Sequence, residues 1–105
     1  MKTHLDPKTN VLTVTLSGDL TSTSAEQLRP PINTLLDQPK PAWSLFRLEL
    51  TGAKMVDSVG LNLIVSILKL VQQRGAKMQI VCANTNVHRT FLFTRLDKQI
   101  ELIKQ

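Results

Sequence analysis

Strict alternation runs through residues 11–17, with Leu12, Val14 and Leu16 on one side and Val11, Thr13, Thr15 and Ser17 on the other. Period two with one apolar side predicts a strand in a sheet that packs one face and wets the other. Residues 2–6 read as its hairpin partner, joined through Asp6-Pro7-Lys8-Thr9-Asn10, a loop dense in turn formers. Apolar runs at Leu45–Leu50 and Met78–Ala83 predict two more strands, and Ile100–Ile103 a short last one.

Between these strands the period changes to that of helices. Thr23-Ser24-Ala25-Glu26-Gln27 opens the first as a capping box, and Leu28, Ile32, Leu35 and Leu36 give it a core stripe. Pro30-Pro31 falls inside that stripe and predicts a kink or break, because each proline removes a backbone donor. Asp37-Gln38-Pro39-Lys40-Pro41 reads as an extended connector, and Trp43 as a lid on the core edge. A second helix spans 58–74, with Gly75 beyond its end and Arg74 at its negative pole. A third, capped by Asn84 or Thr85, runs to about Thr94 and turns Val87, Phe91 and Leu92 inward. Strands alternating with helices at this spacing imply βαβ crossovers and parallel pairing near residues 14, 48 and 80. The expected fold is a single α/β domain over residues 1–105, a mixed four- to five-stranded sheet with helices mainly on one face.

The stretch Met55–Leu61 joins the third strand to the longest apolar helix. Ser58 stands there as the expected N-cap, its hydroxyl accepting from first-turn N–H groups. The same position suits an added phosphate, since those donors and the helix dipole both favour an anion. Along the helix, Ser58, Asn62, Ser66, Lys69 and Gln73 form a polar stripe; Leu61, Ile64, Val65, Leu68 and Val71 lie opposite and should face the sheet. Val59, Leu63 and Leu70 remain on the flank. The apolar arc is about twice the 100° that packing on a sheet requires. The excess is either covered by neighbouring helices or exposed as a docking stripe beside Ser58.

Composition narrows the function more than the fold. Thirteen Lys plus Arg against eight Asp plus Glu give a net charge of +5. The cations are scattered and stacking aromatics are absent between them, so a solvated basic surface is expected, then an acidic protein partner, with nucleic acid last. One cysteine, Cys82, excludes an internal disulfide and fits a reducing compartment. No leader-like segment opens the chain, and the run from Val59 to Val71 is too short and polar to span a bilayer. A cytoplasmic setting without membrane insertion is expected. His4 and His88 lack spaced companions for a metal, Ser58 has no identifiable base, and the four glycines are all single. The expectation is a binding module without cofactor or metal, not an enzyme.

Asp57-Ser58-Val59-Gly60-Leu61 after an apolar strand resembles the D-S-x-G-L signature of STAS domains, in particular bacterial anti-sigma factor antagonists. The likeness runs from about Val11 to Leu102 and includes Gly18-Asp19-Leu20, Gly75 before Met78–Val81, and Val87–Leu96. It implies that Ser58 accepts phosphate from a partner serine kinase that is itself the anti-sigma factor, and that a metal-dependent serine phosphatase removes it. The unphosphorylated form would bind that kinase and release a sigma factor. Partner contacts are expected at Asp57, Ser58, Val59, Asn62, Leu63 and Ser66, with Thr21 and Thr23 from the start of the first helix. Thr21 stands where an acidic residue is common, Val59 where a second serine is common, and Arg95 where a glycine is usual. Two other readings stay open: a STAS subunit of a larger assembly, such as a lipid-transport ATPase or a stressosome scaffold, and a small-ligand sensor.

Overall fold

Five strands lie side by side in chain order: β1 (Lys2–Asp6), β2 (Val11–Thr15), β3 (Leu45–Leu50), β4 (Lys77–Cys82) and β5 (Glu101–Lys104). The computed structural model describes residues 1–37 and 43–105, so most of the expected connector lies outside the described residues. β1 and β2 pair antiparallel; the other three pairings are parallel. Each parallel step carries one helix: α1 (Ser22–Asp37), α2 (Ser58–Gln73) and α3 (Thr85–Phe93). Because the strand order advances in one direction and such crossovers are right-handed, all three helices fall on the same face.

Register explains how the alternation becomes a core. Leu12, Phe46 and Met78 form one row across the sheet, and Val14, Leu48, Ile80 and Leu102 the next. All but the last of these residues, which is half-buried, are buried beneath the helices. The opposite face carries a polar row, His4, Thr13, Arg47, Gln79 and Glu101. Arg47 Nε donates to Gln79 Oε1 at 2.5 Å, and Gln79 Nε2 donates to Glu101 Oε1. Gln79, buried at its centre, is thereby satisfied at both ends of its amide.

α1 is continuous, contrary to the expected break at Pro30-Pro31. Both prolines point outward, and the carbonyls that lose a donor belong to exposed Glu26 and Gln27, where water replaces it. Inward, Ala25, Ile32 and Leu36 are buried. Arg74 Nη1 donates to the Leu36 carbonyl at 2.9 Å, and its guanidinium sits 4.6 Å from the Trp43 ring centre. Trp43 is buried beside Phe46, which makes it part of the core edge it was expected to cover. The capping box is also rearranged. Ser24 reaches back one turn, its Oγ accepting from the Thr21 N–H at 2.9 Å and donating to the Asp19 carbonyl at 2.8 Å.

Asn84 caps α3, and Val87 and Phe91 are buried as expected. Leu92 is not: it is 44% exposed. α3 ends at Phe93, and the chain turns through Arg95 with φ of 61°, a left-handed conformation. That is the backbone state a glycine takes easily and a side chain pays about 1–2 kcal/mol to hold. Arg95→Gly is therefore expected to raise stability by about 0.5–1 kcal/mol, after the entropy a glycine adds to the unfolded chain. Urea melts of the two proteins check this, and a loss of stability would show that the arginine side chain makes contacts that outweigh the strain.

Candidate functional site

The junction between β3 and α2 is built by two loops stitched together. Asp19 Oδ1 accepts from the backbone N–H of Lys54 at 2.7 Å and of Met55 at 3.2 Å. One residue on, the Leu20 N–H donates to the Met55 carbonyl at 3.0 Å, and the Asp57 N–H donates to the Leu20 carbonyl at 3.1 Å. Leu20 and Val56 thus form a one-residue parallel bridge beyond the end of the sheet. The aspartate and leucine of the Gly18-Asp19-Leu20 segment fix where α2 begins.

Asp57, not Ser58, is the N-cap of α2. Its extended backbone aims the carboxylate at both helix starts: Oδ1 accepts from the Gly60 N–H at 2.8 Å, and Oδ2 from the Ser22 N–H of α1 at 2.9 Å. The carboxylate has two oxygens, one aimed at each helix start, where a hydroxyl would have to serve both N–H groups from a single atom on a shorter side chain. Ser58 becomes the first residue of α2, with its side chain exposed.

The Gly60 bond, then partly opposed by desolvation and aided by the Ser22 bond, holds the Asp57 carboxyl below the usual carboxylate range. A group with a lowered folded value contributes stability that is complete above its unfolded value and is lost as pH falls through the folded one. Wild type should therefore lose stability below about pH 4, and Asp57→Asn should lose less on the same descent. Asparagine keeps one acceptor for the cap but has no carboxylate to protonate. Thermal melts between neutral and acid pH read the difference; parallel curves would put the acid sensitivity elsewhere, for instance at Asp6, whose carboxyl is also lowered, chiefly by the Lys8 N–H.

The other expected partner contacts divide into two groups. Asn62 is exposed one turn below Ser58, Val59 is half-buried, and Thr21 and Thr23 lie at the start of α1, which Asp57 draws beside α2. Ser66 sits in the seam between the helices instead, and Leu63 in the core. Leu63 is buried, and Ser66 donates to the Asn62 carbonyl at 3.0 Å while accepting from Arg29 Nη1 of α1 at 3.4 Å. The expected sheet-facing set shifts accordingly: Leu63, Ile64, Ile67, Leu68 and Val71 are buried, whereas Leu61 and Val65 are half-buried. α1 packs against α2, and Leu63 lies in the core and not on the surface a partner would meet.

Among the described residues no group of three or more His, Cys, Asp or Glu side chains is placed to hold a metal ion, and no helix is long and apolar enough to cross a membrane. Cys82 is buried, and burial pushes its thiol up, away from the reactive thiolate.

Fold and junction together define a small α/β module that presents the exposed Ser58 hydroxyl at the start of its central helix. The chain belongs to the STAS domain family, whose model matches residues 3–105. Its fold is that of a candidate anti-sigma factor antagonist from Thermotoga maritima, 22% identical with a TM-score of 0.83 over 99% of this chain and 85% of that one. It is also similar to the Bacillus cell fate determinant SpoIIAA in its phosphorylated form, 17% identical, TM-score 0.70, over 99% of this chain and 91% of that one. A third likeness is to the STAS domain of a SulP transporter from Vibrio cholerae, 17% identical, TM-score 0.67, covering 90% and 73% respectively.

Proposed function

We propose that this protein is an anti-sigma factor antagonist whose binding is switched by phosphorylation of Ser58. The observation that carries the reading is the division of labour at the helix mouth. Asp57 does the capping, so the Ser58 hydroxyl is exposed and surplus to the fold. It can be modified without a cap being lost. The likeness to SpoIIAA, a protein known in a phosphorylated form, supports the same assignment. In this reading the unmodified chain, acting in the cytoplasm as a binding module and not as an enzyme, holds an anti-sigma factor serine kinase through Asp57, Ser58, Val59, Asn62, Thr21 and Thr23. A sigma factor is released, and a metal-dependent serine phosphatase restores the binding form.

Intact mass after incubation with a cognate kinase and ATP tests it. Wild type should gain a single phosphate and Ser58→Ala none; a phosphate gained equally by both would remove Ser58 from the scheme. The SulP likeness favours a second reading, a STAS subunit of a larger assembly. There Ser58→Asp would leave association with the assembly unchanged.

A further inference from the structure

α1 lies along α2, but α3 stands apart from it and leaves an open groove of about 480 Å³, lined by Leu61, Asn86, Arg89, Thr90, Phe93 and Thr94. Phe93 is 90% exposed there, although Val87 and Phe91 already supply the core contacts of α3. No packing contact of α3 requires a phenylalanine in water at that position. With half-buried Leu61 across the groove and exposed Leu92 next to it in the chain, its ring adds to an apolar patch, and it is contiguous patches that mark contact sites. The one charged side chain lining the groove is Arg89, which is exposed, and no carboxylate lines it. The chain beyond it stays net basic, with Arg95 and Lys98 against Asp97.

We propose that this groove docks an acidic protein segment carrying an apolar anchor. The anchor covers Phe93 and Leu61, and flanking carboxylates meet Arg89, whose planar fork matches a carboxylate with two parallel hydrogen bonds. Nucleic acid fits less well, because a single aromatic offers no stacking platform. The inference goes beyond the Ser58 reading and does not rest on it, since the groove and the phosphate acceptor share no residue.

The test titrates the full isotope-labelled chain with two synthetic peptides of equal length. One has glutamates around a central Leu-Phe pair, the other lysines around the same pair. The glutamate peptide should shift the amide signals of Leu61 and of residues 86–94, more weakly as salt is raised. Phe93→Ser and Arg89→Glu, both at exposed positions, should each weaken it about tenfold or more. Equal or tighter binding of the lysine peptide, shifts confined to other elements, or unchanged affinity in both variants would overturn the proposal. So would self-association abolished by Phe93→Ser, which makes a second copy the occupant, or a preference for phosphatidylglycerol vesicles, which makes it a lipid surface. The Ser58 mass measurement is unaffected by any of these outcomes.

Discussion

Gly60→Ala is expected to destabilise the domain by roughly 3 kcal/mol, lowering the urea midpoint by about 2 M. The reason is a close approach, not a turn. A β-carbon at Gly60 would stand 2.3 Å from the Leu20 carbonyl oxygen and 3.0 Å from its Cγ. Real β-carbons do not come so near a backbone oxygen, and this one cannot swing aside. The Leu20 carbonyl is tied by the Asp57 N–H and its own N–H by the Met55 carbonyl. Moving Leu20 therefore drags the cap of α2 and the loop that leads into it. Alanine's better helix propensity recovers only about 1 kcal/mol of that. Gly75→Ala is the control: its φ is 74° but nothing stands within 4 Å of an added β-carbon, so the cost should be about 1 kcal/mol, from backbone strain alone. If the two variants melt together, the α1 start yields more easily than its hydrogen bonds imply.

That contact shows what the amino-acid sequence could and could not reveal. Alternation in residues 11–17 places Leu12 and Val14 under the helices, and the helix–strand order predicts parallel pairing, because both follow from local periods and a right-handed crossover. The cap of α3 is narrowed by the sequence to Asn84 or Thr85, and Asn84 takes it. The cap of α2 is placed one residue late, at Ser58, although the adjacent Asp57 can cap equally well. What decides it is the Ser22 N–H, 35 residues away, which needs a second acceptor oxygen. For Leu63 the sequence leaves two outcomes open, cover by a neighbouring helix or exposure to a partner. It is buried, so the first holds, and a helical wheel drawn against one sheet cannot choose between them. Pro30-Pro31 misled because the rule concerns lost donors, while the outcome depends on whether the orphaned carbonyls meet water. Leu92 was expected inside with Val87 and Phe91, yet nine residues with two buried anchors suffice to seat α3.

Ser58→Asp should leave the denaturation midpoint almost unmoved, within about 0.5 kcal/mol of stability, and, on the proposed reading, abolish binding to an anti-sigma factor. The first half follows from position. Residue 58 begins α2, where a negative charge meets the positive pole of the helix, and its side chain is exposed. The adjacent Asp57 carboxylate opposes the new charge but remains anchored to Gly60 and Ser22. The second half follows from what a partner would have to accept. A surface fitted to a neutral hydroxyl, half-buried Val59 and exposed Asn62 would meet added bulk and a like charge beside Asp57, with desolvation to overcome. A penalty of about 3 kcal/mol weakens binding more than a hundredfold. Phosphorylated wild type, with about 1.5 to 2 negative charges instead of one, should bind more weakly still, and Ser58→Ala should bind like unmodified wild type. Calorimetric titration of the cognate kinase with all four forms orders them. Unfolding of Ser58→Asp would make the serine structural after all, and binding by Ser58→Asp at wild-type strength would mean that charge at this helix mouth does not control docking.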